Sequence, residues 1–313
     1  MTKNKIIIIS GATATGKTDI SLQASSIFPN LEIVNFDSLL FYKELNIGTA
    51  KPSLKEREQT KHHLIDICSV KEPVDAAKYH ELALPKVHQL HSLNKTPVLV
   101  GGSGFYLQAL INGMFPSIST PKKVLDQSQD LFKQKGISPF IKILKDNDPI
   151  NFKKLHENDH YRIIRAVEHF WTTGTPFSLA KDKLDKNIKK NYQKFNWEIL
   201  HIYLEIPKLT HWDIIERRTK TMIQNGLIEE VEELLNKGYS LYKPLHSIGY
   251  KETIQFLNEK EMTIDQLQQK VTISTRQLAK SQKTWFKTKE KTVFNPLLDR
   301  DRILNEIKEF YEH

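Results

Sequence analysis

The first apolar run is Ile6–Ile9, four isoleucines closed by Ser10-Gly11. A short β-branched run bounded by glycine reads as a buried parallel strand. A helix is expected from Thr18, with Ile20, Leu22, Ala24 and Ile27 inside it and Pro29 after it. Leu31–Phe36 reads as a second strand ending at Asp37, Leu64–Ile67 as a short third, and Pro97–Val100 as another stopped by Gly101-Gly102. Between them, Leu82, Leu84, Val87, Leu90 and Leu93 recur at helical spacing within a helix predicted over Ala76–Leu93. Strands alternating with helices predict an α/β fold with a doubly wound parallel sheet.

The pattern changes near Met114. From there to Lys194 helical periodicity dominates, punctuated by Pro116, Pro121, Pro139, Pro149 and Pro176. Leu155–Trp171 is the clearest helix, with Thr172-Thr173-Gly174 as its stop. Lys181–Lys194 carries six lysines against two aspartates and reads as an exposed, mobile segment. Alternation over Ile199–Ile206 returns the chain to the sheet, and the remainder reads as helical, with long periodic segments at Ile214–Leu235 and Ile264–Phe286. The expected organisation is a core of residues 1–113 and 196–313 interrupted by an all-helical insertion at 114–195.

The 313 residues suffice for about two domains at roughly 150 residues each. Hydrophobic residues at 39% and aromatics at 9% exclude a disordered chain, and the single cysteine, Cys68, excludes a disulfide framework or a Cys-based zinc site. No run reaches the ~18 apolar residues of a membrane span, and the N-terminal run is too short for a secretory signal. A cytoplasmic location is expected. The formal charge of +9 favours anionic partners, nucleic acid among them, although a merely lysine-rich surface has the same sum.

Gly11-Ala12-Thr13-Ala14-Thr15-Gly16-Lys17-Thr18 matches G-x-x-x-x-G-K-[ST] and sits between a predicted strand and a predicted helix, the context of a P-loop. Successive backbone N–H groups and the helix N-terminus would face phosphates. Lys17 would reach a terminal phosphate, and the Thr18 hydroxyl would ligate Mg²⁺. A ligand-free glycine turn is the bland alternative. The motif points to a bound di- or triphosphate and does not say what happens to it.

Asp37-Ser38-Leu39-Leu40-Phe41-Tyr42, Ile47-Gly48-Thr49-Ala50-Lys51-Pro52, His62-His63-Leu64-Ile65-Asp66 and Val100-Gly101-Gly102-Ser103-Gly104-Phe105-Tyr106 follow in that order. With the P-loop, this series closely resembles the tRNA dimethylallyltransferase (isopentenyltransferase) family. The resemblance continues through Asn158-Asp159 with Arg162 and Arg165, Gly249-Tyr250-Lys251-Glu252, and Arg276-Gln277-Leu278-Ala279-Lys280 with Thr284-Trp285, and so covers nearly the whole chain.

The resemblance implies a P-loop NTPase-like sheet flanked by helices. It also implies transfer of a dimethylallyl group from its diphosphate to N6 of the adenosine 3′ of the anticodon, with the P-loop holding the leaving group and Mg²⁺ as cofactor. Asp37 would be the base that orients N6 and takes its proton; helix capping from Asp37 is the alternative. Ser103 and Arg218 would meet the diphosphate, an Arg fork suiting phosphate oxygens; a turn serine and a solvated arginine are the alternatives. The implied tRNA contacts are Asp37, Ser38, Leu39, Leu40, Ser103, Lys123, Tyr161, Arg162, Ile163, Ile164, Arg165, His246, Ser247, Ile248, Gly249, Tyr250, Lys251, Arg276 and Lys280. The implied partners are tRNA through its anticodon stem-loop and dimethylallyl diphosphate, with no membrane, for a monomer.

Arg276, Lys280, Lys283 and Lys287 share one helix face that would track a phosphate backbone, unless it is an ordinary solvated face. Phe41, Tyr42, Phe105 and Tyr106 are candidate stacking walls, or core. His62-His63 lacks a third ligand spaced for zinc and reads as structural. The chain departs from the family pattern at Ala12 (proline is usual), Leu40 (glutamine), His246 and Ile214 (arginine in some members), Lys123 or Val124 (arginine) and Ser281 (a basic residue). Two other enzymes share parts of this pattern: an isopentenyltransferase acting on free adenine nucleotides, and a P-loop small-molecule kinase. A P-loop protein that binds RNA without chemistry is a further alternative.

Overall fold

The structure, a computed structural model, describes residues 4–114, 120–187, 189–259 and 261–312. Lys3 and Pro116, and the side chains of Lys183, Asp185 and Lys186, lie outside the described residues. Six strands form one sheet among the described residues: β1 (Asn4–Gly11), β2 (Leu31–Asn35), β3 (His62–His63), β4 (Thr96–Gly101), β5 (Trp197–Leu204) and β6 (Thr292–Phe294). Their order is β3-β2-β4-β1-β5-β6 and every pairing is parallel. β1 lies inside, with Ile7 opposite Val98 on one side and Leu200 on the other.

The isoleucine run is continuous because both sheet faces are covered. Ile6 and Ile8 join Val34, Phe36 and Leu99 in one core with Tyr79, Val87, Leu107 and Leu110. Ile7 and Ile9 join Val98, Ile202 and Leu204 in another with Ile20, Ala24, Ile303 and Ile307. The alternation along β1 thus feeds two cores, and its C-terminal end at Gly11 opens beside those of β2 and β4, where ligands gather in open α/β sheets.

The chain forms two compact units, residues 1–113 with 191–313, and residues 114–190. The first holds α1 (Lys17–Ile27), α2 (Leu54–Gln59), α3 (Ala76–Ser92) and α4 (Gly104–Asn112). The second holds α5 (Lys122–Lys135), α6 (Ser138–Asn147), α7 (Pro149–Phe152), α8 (His160–Thr173) and α9 (Phe177–Asn187). It packs Phe140, Leu144, Ile163, Ala166 and Val167 into its own core. Two buried carboxylates staple it: Ser128 donates to Glu168 at 2.5 Å, and Ser178 to Asp148 at 2.5 Å. The first unit resumes with α10 (Asn191–Lys194), α11 (Lys208–Gln224), α12 (Leu227–Asn236), α13 (Tyr250–Asn258), α14 (Ile264–Phe286) and α15 (Arg300–Glu312).

Five expectations are corrected. Leu64–Ile67 is not a strand: Leu64 (φ 62°) and Asp66 (φ 55°) are left-handed, which breaks a ladder, and pairing is confined to His62–His63. The helix expected from Leu155 starts at His160, because the Asp159 side chain accepts from Arg162 N at 3.3 Å and caps it there. Ile214–Leu235 is broken at Gly226 (φ 99°) into α11 and α12. Leu93 is 61% exposed just past α3, whose buried face runs through Ala76, Tyr79, Ala83, Val87 and Leu90. The lysine-rich stretch contributes to α9 and α10 with Lys181, Lys189, Lys190 and Lys194 exposed as expected, but Asn191 is buried, donating to Leu110 O at 2.9 Å. The three-residue β6 carries no sequence signal long enough to read.

Candidate active site

The phosphate loop follows from the end of β1. A Cβ on Gly11 would stand 2.7 Å from Leu204 O, so only glycine lets the chain turn against β5. Gly16, left-handed at φ 80°, hands the loop to α1. Thr15 Oγ1 donates to Ala12 O at 2.9 Å, and Lys17 Nζ curls back to Ala12 O at 2.7 Å and Gly11 O at 3.1 Å. An ammonium resting on loop carbonyls is free to exchange them for an anion. Burial pulls Lys17 down to about 8, against an upward pull from Asp37 and with a smaller downward push from Arg218.

Asp37 is placed by Asn35 at the end of β2. Asn35 Oδ1 accepts from Asp37 N at 2.8 Å, and Asn35 Nδ2 donates to Asp37 O at 3.1 Å and Leu64 O at 2.9 Å. Asp37 Oδ1 accepts from Leu39 N at 3.2 Å. No helix follows, so the capping alternative falls: the carboxylate closes an Asx turn and keeps its other oxygen available. Ser103 Oγ accepts from Ser38 N at 3.1 Å, tying the loop after β4 to the loop after β2.

Arg218 on α11 donates to Thr49 O at 3.5 Å. Among the described residues no carboxylate reaches it within salt-bridge distance. Burial lowers its pKa, opposed by the charge of Asp37. A half-buried guanidinium without an ion pair carries a desolvation cost that an arriving anion offsets. Thr13, Asp37, Ser38, Leu39, Ser103, Arg218, His246, Ser247, Ile248 and Gly249 share the lining of one cavity of about 340 Å³, within the usual range for a ligand pocket.

Several implied tRNA residues are buried or half-buried. Tyr250 is fully buried, its hydroxyl donating to Glu230 at 2.6 Å, and Ile163 is buried in the helical core, with Ile164 packed against it. Leu40 is half-buried, its carbonyl accepting from Asp66 N at 3.1 Å. Tyr161 is 75% exposed on α8. Beside it Arg162 pairs with Asp159 at 3.1 Å and Arg165 with Glu168 at 2.5 Å. Lys123 and Lys251 are exposed. On α14, Arg276 is held by Glu216 at 2.8 Å and by Trp212 O at 3.1 Å, and Lys283 by Glu205, whereas Lys280 is exposed. Of the candidate stacking rings, Phe41 and Tyr42 are core, Tyr106 is tied to Val74 O at 2.6 Å, and Phe105 alone is exposed. His63 pairs with Glu32 at 2.6 Å and His62 with Thr60 O at 2.7 Å, consistent with structural roles.

Three residues that sequence reasoning passed over shape the site. Glu230 accepts from the backbone N–H of Asn46 (3.1 Å), Ile47 (2.8 Å) and Gly48 (3.2 Å), fixing the loop that carries Thr49. His211 is buried, which lowers its pKa and favours neutral imidazole; its Nε2–H donates to Thr13 O at 2.8 Å. Gln282 accepts from Thr13 N at 2.8 Å.

The family model described as IPP transferase matches residues 40–289. The chain is 36% identical over 302 residues to the tRNA dimethylallyltransferase of Prochlorococcus marinus, covering 96% of this chain and 95% of that one. It is 35% identical over 285 residues to tRNA dimethylallyltransferase 2 of Geotalea daltonii, covering 91% and 85%. Among solved structures it resembles the full-length tRNA isopentenylpyrophosphate transferase of Bacillus halodurans, with a TM-score of 0.69 and 28% identity over 99% of both chains. It also resembles a eukaryotic dimethylallyltransferase acting on tRNA, with a TM-score of 0.76 and 26% identity over 90% of this chain and 70% of that one.

Proposed function

This chain belongs to the IPP transferase family, and on that premise we infer that it transfers a dimethylallyl group from dimethylallyl diphosphate to N6 of the adenosine 3′ of the anticodon in tRNA. The observation that carries the reading is one cavity lined together by Thr13 of the phosphate loop, the Arg218 guanidinium and the Asp37 carboxylate. A phosphate loop alone fits a kinase equally well; the names of the relatives favour prenyl transfer to tRNA.

The diphosphate rests on the P-loop amides of Gly11–Thr18, with Lys17 and Arg218 on its oxygens. The allylic C–O bond breaks, its electron pair leaves on the diphosphate, and the C–N bond forms to N6. The N–H proton goes to Asp37. Donors fixed beforehand at the growing charge lower the barrier without rearranging during the reaction. Ser103 adds a hydroxyl to the same anion.

Mg²⁺ fits the donor set. It favours substrate phosphates and water with few protein oxygens, and the hydroxyl of Thr18, in the first turn of α1, is one such oxygen. Thr18 would hold the ion, which when bound neutralises diphosphate charge.

On the first unit, the anticodon stem-loop would meet the lining at His246–Gly249 and the exposed cations Lys251 and Lys280; on the helical unit, taken by itself, Lys123 and Arg162 are the exposed cations. The helical unit would serve this contact. We place the enzyme in the cytoplasm as a monomer; no helix among the described residues is long and apolar enough to cross a membrane.

The deciding experiment mixes the protein, Mg²⁺ and radiolabelled dimethylallyl diphosphate with unmodified tRNA, with AMP or ATP, or with neither. Label is expected in tRNA alone. Label in free nucleotide would move the protein to the nucleotide-prenylating reading, and label in neither would defeat both.

Two further outcomes are expected. Lys17 near 8 is charged below that pH and neutral above it. Diphosphate affinity therefore falls as pH rises through about 8, and binding above that pH takes up a proton. Calorimetry in two buffers of different ionisation heat checks this; identical heats at pH 9 would refute it. Lys280→Ala is expected to reduce the salt slope of tRNA binding by about one, whereas Lys283→Ala, already paired with Glu205, reduces it less. Titrations at several salt concentrations separate the two.

A further inference from the structure

β1 and β4 are parallel neighbours whose register ends at Ser10 opposite Gly101. Beyond that point the phosphate loop and the Gly102-Ser103 loop have left the ladder. The side chain of Gln282, on α14, spans the gap. Its Oε1 accepts from Thr13 N at 2.8 Å and its Nε2 donates to Gly102 O at 3.1 Å. One carboxamide thus supplies the acceptor and the donor that a continuing ladder would have supplied. A Cβ on Gly102 would stand 2.5 Å from Gln282 Nε2, so the glycine is what lets the amide reach the carbonyl. His211 holds Thr13 O at 2.8 Å.

The joined loops carry the two ends of the reaction assigned above. Thr13 belongs to the diphosphate loop. Gly102 precedes Ser103, whose Oγ accepts from Ser38 N at 3.1 Å, next to Asp37. We propose that Gln282 is a positioning residue for prenyl transfer: its carboxamide sets the leaving-group loop in register with the loops bearing Ser103 and Asp37. The proposal rests on the prenyl-transfer reading. Glutamate lacks the donor, methionine lacks both donor and acceptor, and asparagine is shorter. Misplacing reacting groups by about 1 Å costs on the order of 10²-fold in rate.

The test uses the full chain with unmodified tRNA and dimethylallyl diphosphate, wild type alongside. Gln282→Met is expected to lower kcat by at least about tenfold while KM for each substrate stays within about threefold, since the lost alignment matters in the transition state. Gly102→Ala, which leaves Gln282 in the chain and pushes on its amide, is expected to give the same kcat-only pattern. Combining Gly102→Ala with Gln282→Met should cost no more than the worse single change, because both open one bridge. The proposal is overturned by a Gln282→Met kcat within twofold of wild type, by a loss confined to KM, or by multiplying effects in the double variant. Should Gln282→Met fail to fold, Gly102→Ala decides by the same criteria. A wild-type protein that labels no tRNA overturns the prenyl-transfer reading and this proposal with it, whereas an active wild type with an unaffected Gln282→Met overturns the role of Gln282 alone.

Discussion

Replacing Asp37 by asparagine is expected to cut turnover by about 10²-fold or more while leaving tRNA affinity nearly unchanged, the scale of a lost general base. The loop should survive the change. Asparagine Oδ1 accepts from Leu39 N as aspartate does, and Asn35 grips only the backbone of residue 37. What goes is the capacity to take a proton from N6. A second effect follows from charge. Asp37 raises the pKa of both Lys17 and Arg218, so its removal lets Lys17 lose its proton below its present value of about 8. The variant should therefore lose diphosphate affinity at a lower pH than wild type. Single-turnover transfer and filter binding across pH measure both effects, and an unchanged rate would remove Asp37 from the chemistry.

Arg218→Gln is the second large effect, a loss of about 10²- to 10³-fold in kcat, comparable to removing one fixed donor from a developing anion. The size comes from burial. The guanidinium is half-buried in the wall of the cavity, with Thr49 O as its one protein acceptor among the described residues, so its interaction with a diphosphate is less screened than at an exposed site. Arg218→Lys should rescue only part of the loss, since an ammonium lacks the planar fork. Because a half-buried cation without an ion pair contributes little to the free protein, Arg218→Gln should leave the melting temperature nearly unchanged. A variant that lowers melting while keeping kcat would assign Arg218 to the fold instead.

What the sequence revealed of this site was local. Gly11–Thr18 is a contiguous motif whose geometry is set by its own glycines and the helix it starts, and Asp37 sits where a strand ends. Gln282 contributes a single side chain to backbone atoms of Thr13 and Gly102, and Glu230 does the same for Asn46–Gly48. Such contacts leave no periodicity, and the segment around Gln282 is marked by its basic stripe and by the motif residues Arg276–Lys280 and Thr284-Trp285, not by Gln282 itself. The stripe shows the same limit: spacing shows which cations share a face, not that Arg276 and Lys283 have partners in Glu216 and Glu205. The fold followed the same division. β1 was plain from four isoleucines, whereas the end of α11 turned on the positive φ of Gly226 and the failed strand at Leu64–Ile67 on two left-handed non-glycine residues.

The place of β1 in the sheet has a consequence for synthesis. Its neighbours are β4, which ends at Gly101, and β5, which does not begin until Trp197. A growing chain that has emerged as far as the helical unit holds an isoleucine-rich strand with one edge still unpaired, the kind of edge that invites association with other chains. The helices of residues 122–187 can form from local contacts while that edge waits. The wall of β5 against which Gly11 turns is therefore absent until nearly two-thirds of the chain has been made, and Gln282, which holds Thr13 N, and β6, which completes the sheet, follow later still.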